Sequence, residues 1–264
     1  MDHQKYQITT GNPSSKYYQK KAKGEIVISY GVTTLLLPDL VTGNVLPLKM
    51  KAGHSLLNVG LGWKVTQRQT PIDLDVSCVA IDAQGEVDIK ESVYFANLSN
   101  PNGSITHSGD EREGKASAGS DTDDRERIMI NLDKLPDYIA AYVLVVTVAT
   151  PGVTFDQITS ARVRICDGHT GMGFCAFRPA YEGAATAMFC LRIARKLKGK
   201  GKFSKDWSMA TISETDHCAR DFGKCCLLIW AESMWVSRYT GYIRDEFCFL
   251  HVCAHNKHPH SFST

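Results

Sequence analysis

The sequence predicts an all-β protein, a sandwich of two sheets with few short helices. Two observations carry this prediction. Short apolar runs rich in β-branched residues recur along the chain, and turns of Gly, Pro and Asn separate them. In the clearest of these runs, apolar and polar residues alternate with a period of two, as they do on a half-buried strand. Many short strands joined in this way are typical of a β-sandwich.

The strands can be placed in order along the chain. Residues 25–60 alternate short apolar runs with Gly and Pro, and residues 72–82 alternate apolar and polar side chains. A strand at 92–98 leads into a turn with Asn-Gly at its centre, at 99–104. Further strands are predicted at 128–136, 140–150, 160–167 and 173–177.

The sequence pattern assigns secondary structure clearly to one of the later segments and not to another. The dense β-branched run at 140–150 is the best candidate for a central, buried strand. Residues 186–197 fit either an amphipathic helix or a long strand, because periodicity alone does not separate the two.

The composition divides the chain into three parts. Residues 1–24 are polar and lysine-rich, which indicates a flexible lead-in. Residues 25–222 carry the strand pattern of the sandwich domain. Residues 223–264 form an atypical C-terminal extension, rich in Cys, His and Trp, and its composition favours a poorly packed or disordered tail.

The bulk properties exclude several classes of protein. The first residues contain no apolar segment of the secretory kind, and the apolar stretch at 225–236 is too short to span a bilayer. We therefore expect a cytoplasmic protein without a membrane span, with its cysteines reduced. A net charge of +2 gives no case for specific nucleic-acid binding.

Acidic residues are concentrated in one part of the chain. Between Asp73 and Glu126 there are thirteen carboxylates and four basic residues, a net charge of −9 in a chain whose total is +2. Carboxylates gathered together repel one another, and a bound divalent cation turns that repulsion into attraction. Carboxylate and carbonyl oxygens are the ligands that Ca²⁺ prefers, so the segment predicts a calcium site.

The spacing of the acids shows how such a site could form. Asp73 and Asp75 are two residues apart on a predicted strand, so both side chains point to the same side. Glycines such as Gly109 allow backbone carbonyls to turn towards an ion. The alternative is that these acids, and the polar loop at 109–127, simply face solvent. No EF-hand loop is present, so ligands must come from several segments.

Other chemistries have weaker support. Residues 109–116 nearly match a phosphate-binding loop, but its hydroxyl is missing and three acids lie within it. The C-terminal cysteines and histidines include possible zinc ligands, yet no C-x₂-C pair occurs. His107 is interpreted as a structural hydrogen-bonding residue, and the basic run at 192–205 as a solvated face or loop. Since no motif of nucleophilic catalysis occurs, we expect that the protein is not an enzyme.

An ordered series of motifs runs through roughly residues 48–197. They are Gly60-Leu-Gly-Trp63, Asp73-Leu-Asp75, Val93 to Asp110, Asp123-Asp124, the strands Ile128–Leu132 and Val143–Val148, Ala161–Ile165 and Thr186–Arg192. In this series the chain resembles the TerD-domain family, the tellurium-resistance and general stress proteins.

The resemblance implies a β-sandwich that binds Ca²⁺, has no established catalysis and acts in stress response. A cyclic-nucleotide binder with structural metal is the alternative, and another protein of a stress complex is a further possible partner. Lys64 stands where the family usually has Asp, and residues 115–120 lengthen a compact loop, which puts one of two expected ion sites in doubt. The positions carried over as metal contacts are Asp73, Asp75, Asn97, Gly109, Asp110, Asp123 and Asp124.

Overall fold

The computed structural model describes residues 8–10, 25–30, 33–38, 45–48, 50–64, 71–110, 124–158, 160–177, 183–197 and 203–231. Strands dominate these residues. They are β1 (Ile8–Thr10), β2 (Glu25–Tyr30), β3 (Thr33–Pro38), β4 (Val45–Pro47), β5 (Leu56–Lys64), β6 (Leu74–Asp82), β7 (Val87–Val93), β8 (Ile105–His107), β9 (Glu126–Asn131), β10 (Ile139–Val148), β11 (Ser160–Asp167), β12 (Gly173–Phe177), β13 (Ala187–Leu197) and β14 (Phe203–Asp216). Helix α1 spans Phe222–Ala231, and one 3₁₀ turn spans Phe155–Gln157.

Two large sheets form the sandwich, which confirms the predicted fold class. The six-stranded sheet has the order β4-β14-β13-β10-β6-β7, and the five-stranded sheet has the order β12-β11-β5-β9-β8. Every pairing among the described strands is antiparallel. Strands β1, β3 and β2 form a small third sheet, so residues 8–10 of the expected lead-in are paired with β3.

The main core lies between the two large sheets, and the alternation in β6 determines which side chains enter it. Leu74, Val76 and Cys78 point inwards, where they meet Leu57, Val59 and Ile128 of the facing sheet. All ten residues of β10 are buried, as expected of a central strand. Cys78, Cys166, Cys175 and Cys190 are buried and form no disulfide with one another or with another described cysteine, and burial raises the pKa of the Cys78 and Cys175 thiols.

A second apolar layer covers the outer face of the six-stranded sheet. Here the other side chains of β6 and β10, such as Val79 and Val143, pack against helix α1. Phe222, Cys225 and Ile229 of the helix are buried in this layer, three and four residues apart on one helical face. Tyr94 stacks on Phe222 with ring centroids 3.9 Å apart. The beginning of the C-terminal extension therefore packs on the sandwich.

The structure decides two points that periodicity left open or misjudged. Residues 187–197 form strand β13, which pairs with β10 on one side and β14 on the other. The basic run was expected to be a solvated face or loop, and this is wrong for Arg192 and Arg195, which are buried. Arg195 donates to Asp137 Oδ1 at 3.0 Å and to the Ile139 carbonyl at 3.0 Å, and its guanidinium lies over the Trp207 ring.

No helix in the described ranges is long and apolar enough to cross a membrane.

Candidate metal centre

Three carboxylates from two parts of the chain come together at the surface. Asp73, Asp75 and Asp110 each place one carboxylate oxygen within 4.8 Å of the other two. Asp75 is buried, Asp73 is half-buried and Asp110 is exposed, so the group is open to solvent on one side. Among the described residues, no other group of three Cys, His, Asp or Glu side chains comes this close.

The alternation of β6 places the first two acids. Asp75 pairs with Thr147 across the β6–β10 ladder, on the outer face of the six-stranded sheet. Strand β7 pairs with β6 only from Cys78 onwards, which leaves this end of β6 without a neighbour on that side. The Val76 N–H instead donates to Glu126 Oε2 at 3.0 Å, so a side chain replaces the missing strand.

A tight turn after β8 brings Asp110 to the group. The Ser108 N–H donates to the Arg127 carbonyl at 2.9 Å, which fixes the turn to β9. Gly109 follows with φ of +105°, a backbone conformation that glycine adopts without a steric penalty. Its N–H donates to His107 Nδ1 at 3.0 Å. The turn therefore directs the chain at Asp110 back towards β6.

His107 and Glu126 form a buried support beneath this turn. His107 Nδ1 accepts a hydrogen bond from the Gly109 N–H, which fixes the orientation of the ring. Nε2 faces Glu126 Oε2 at 3.5 Å, and both side chains are fully buried. Glu126 was not among the predicted site residues. Its period-two alternation with Ile128 and Ile130 is the signal that could have placed it inside the sandwich.

Asp124, also carried over as a metal contact, lies in an ion pair with Arg164 and not with Asp73, Asp75 and Asp110. Its carboxylate is fully buried and accepts two hydrogen bonds from Arg164, from Nε at 2.6 Å and from the terminal nitrogen at 2.5 Å. Gly60 lies against it: a Cβ added at Gly60 would come within 2.2 Å of Asp124 Cγ. The contacts of Asp124 are those of an internal ion pair, and it is not part of the carboxylate group.

Of the two other positions carried over, Asn97 makes contacts within its own turn and Asp123 lies outside the described residues. Asn97 belongs to the turn after β7, where its side-chain N–H donates to the Ser92 carbonyl at 2.7 Å. It lines a shallow surface hollow together with Ile89, Lys90 and Tyr94. Asp123 lies outside the described residues, as does most of the loop at 109–127.

A second polar cluster surrounds Asp167, at the end of β11. Its carboxylate binds His54 Nδ1 at 2.7 Å and accepts from the backbone N–H groups of His169 and Thr170. Burial by itself raises the pKa of Asp167, but the hydrogen bonds from His54, Thr170 and His169 outweigh it and lower that pKa to about 2. The cluster fixes the turn between β11 and β12.

Fold and site together define an antiparallel β-sandwich with a carboxylate group at one end of its six-stranded sheet. The profile of the TerD domain matches residues 38–214, more than half of the chain. The chain belongs to the TerD-domain family, of the tellurium-resistance and stress-protein kind, as the resemblance predicted.

Named relatives agree with this assignment. The chain is similar to stress response protein SCP2 of Bacillus subtilis, with 32% identity over 63% of this chain and 85% of that protein. It is similar to tellurium resistance protein TerD of Serratia marcescens, with 33% identity over 44% of this chain and 61% of that protein. A solved TerD homologue from Streptomyces coelicolor shares the fold, with a TM-score of 0.51 at 20% identity over 66% of this chain and 96% of its own.

Proposed function

We propose that the protein is a non-enzymatic Ca²⁺-binding module of a stress response. The observation that supports the proposal is the convergence of Asp73, Asp75 and Asp110, whose carboxylate oxygens lie within 4.8 Å of one another. Two carboxylates about 4 Å apart repel by about 1 kcal/mol even at the dielectric constant of water, and more at a half-buried site. A bound dication would relieve this repulsion.

The donor set fits calcium better than a transition metal. All three side chains offer hard carboxylate oxygens, which suit Ca²⁺, whereas zinc and copper favour nitrogen and sulfur. Ca²⁺ takes six to eight oxygens, so waters or backbone carbonyls would complete the shell. The partly exposed position of the group leaves room for both. The stress-response role rests on the family and on the names of its relatives.

Thermal unfolding with and without calcium tests the proposal. At one hundred times its dissociation constant, a ligand specific for the folded state adds about 2.7 kcal/mol of stability. For a domain of this size that corresponds to about 5–10 °C in melting temperature. The parent protein should therefore melt higher in CaCl₂ than in EGTA, and the double variant Asp73→Asn with Asp75→Asn should show no difference.

The control removes one charge elsewhere. Asp133 is exposed in the turn after β9, away from the group, so Asp133→Asn should keep the full calcium shift. Identical melting curves for the parent protein in CaCl₂ and EGTA would rule out the calcium site. A shift that survives in the double variant would place the ion elsewhere.

A further inference from the structure

We infer that Arg220 is a positioning residue for the carboxylate group, so that docking of helix α1 and binding of a dication stabilise each other. Arg220 and α1 lie beyond residue 214, where the match to the family profile ends. The inference rests on the calcium-binding function proposed above, and it adds a means by which the C-terminal segment controls the affinity of that site.

The first step is the contact between Arg220 and the loop after β10. One guanidinium nitrogen of Arg220 donates to the carbonyl of Val148, the last residue of β10, at 3.3 Å, and to two carbonyls of the loop, Thr150 at 2.9 Å and Val153 at 2.6 Å. Hydrogen bonds from a charged donor are about twice as strong as neutral ones. A single side chain therefore holds residues 148–153 in one conformation.

The second step is the contact between that loop and Asp73. The Asp73 N–H donates to Thr150 Oγ1 at 2.8 Å, and the Asp73 carbonyl accepts from the Ala149 N–H at 3.0 Å. Asp73 directly precedes the first residue of β6, and its carbonyl accepts the hydrogen bond that ends the β6–β10 ladder. Its N–H is held by the Thr150 side chain, and Arg220 binds the carbonyl of the same threonine. Arg220 therefore supports the backbone from which the Asp73 carboxylate extends.

The third step is the anchoring of Arg220 itself. Asp216, the last residue of β14, accepts through its side chain from the N–H groups of Cys218 and Ala219, at 2.7 and 2.5 Å. The Thr186 hydroxyl donates to the Ala219 carbonyl at 2.6 Å. Two residues after Arg220, Phe222 stacks on Tyr94. Arg220 is therefore set between a fixed turn and a packed helix, and undocking of α1 would withdraw its guanidinium from the loop.

The direction in which calcium affinity changes when Arg220 is removed distinguishes a positioning role from simple electrostatic repulsion. A positive charge near a cation site repels the cation, so the loss of Arg220 would tighten calcium binding if charge alone mattered. If Arg220 acts by holding Asp73 in place, its loss weakens binding instead. Coupling between a site and a remote element is typically 5- to 150-fold in affinity.

Calorimetric titration with CaCl₂ tests the inference in the full chain. Arg220→Ala should raise the dissociation constant at least about five-fold, the lower end of typical coupling. Thr150→Val removes the hydroxyl that holds Asp73 and should weaken binding similarly. Because the two act in one chain of contacts, the double variant should lose less than the product of the single effects. Lys224→Ala removes an exposed charge from α1 and should leave the affinity unchanged.

A second measurement uses the reciprocity of coupling. If α1 docking favours calcium, calcium must favour docking by the same factor, so CaCl₂ should slow amide hydrogen exchange in residues 222–231. Arg220→Lys, which keeps the charge and part of the hydrogen bonding, should fall between parent and alanine variant, and it serves with Thr150→Val if Arg220→Ala does not fold.

Equal or tighter calcium binding by the folded Arg220→Ala variant, or additive effects in the double variant, would overturn the inference alone. No calcium binding by the parent protein would overturn the proposed function and the inference with it.

Discussion

Replacement of Asp124 by alanine tests whether this residue supports the fold or binds metal. Asp124 is fully buried and binds Arg164 through both carboxylate oxygens, and only 9% of the Arg164 side chain is exposed. The alanine variant would remove the carboxylate that binds Nε and a terminal nitrogen of this buried guanidinium. The variant would also empty the space above Gly60 that the carboxylate fills.

The size of the effect follows from the burial. Removal of one partner from a buried ion pair typically costs about 3–5 kcal/mol, because the remaining charge stays desolvated. For a domain of this size, the same loss lowers the melting temperature by about 6–20 °C. The free energy of unfolding should fall equally in EGTA and in CaCl₂, since the ion pair does not involve Asp73, Asp75 or Asp110.

Urea unfolding of the parent and of Asp124→Ala, in both buffers, measures this loss. Asp137→Ala is the matched control. It removes a carboxylate that binds another buried arginine, Arg195, but the Asp137 side chain is 98% exposed, and Arg195 keeps its hydrogen bond to the Ile139 carbonyl and its place over the Trp207 ring. The removal of Asp137 should therefore cost less than about 1 kcal/mol. A loss for Asp124→Ala below about 1 kcal/mol, the range of exposed pairs, would refute the structural role. A loss seen only with calcium would return Asp124 to the metal site.

Two further predictions concern buried polar groups. The Tyr142 hydroxyl is buried and finds no hydrogen-bond partner within the described part of the chain. A buried polar group without a partner costs about 1–3 kcal/mol, so Tyr142→Phe should keep or raise the free energy of unfolding in urea. A clear loss of stability would contradict this. The pKa of Asp167 is lowered to about 2, below its unfolded value, so its carboxylate stabilises the fold fully above about pH 4 and loses this contribution as the pH falls towards 2. The destabilisation caused by Asp167→Asn, followed by urea unfolding at several pH values, should therefore shrink over that interval, and a constant difference would show that the lowered pKa is not its source.

The sequence was sufficient to predict the sandwich and its central strand, because these depend on local patterns. The alternation at 72–82 assigned the correct side chains to the core, and the β-branched run at 140–150 became β10. The strand at 187–197 depends instead on its two neighbours, which a periodicity cannot supply. Arg195 was misjudged for a similar reason: its partners lie 56 to 59 residues earlier in the chain.

The cluster of Asp73, Asp75 and Asp110 could be predicted in part from the sequence. Asp73 and Asp75 lie on the same side of a strand by spacing alone, and the acidic turn at Asp110 was a natural third member. Asp124 has the same chemistry, but the partner that the structure gives it, Arg164, lies forty residues away in the chain. Glu126 and Arg220 act through contacts with backbone groups of other segments, which no motif records. Calcium binding, the cyclic-nucleotide alternative, a stress-complex partner and a cytoplasmic location stay predictions.

The apolar layer beneath helix α1 bears on the C-terminal limit of the folded domain. The match to the family profile ends at residue 214, yet Phe222, Cys225 and Ile229 pack on the apolar part of the outer face of the six-stranded sheet. A fragment that ends at residue 214 would expose Val79, Val143 and Val145 to water. Contiguous apolar patches of this kind promote aggregation. The unit that buries its apolar side chains therefore extends beyond residue 214, where the match to the family profile ends.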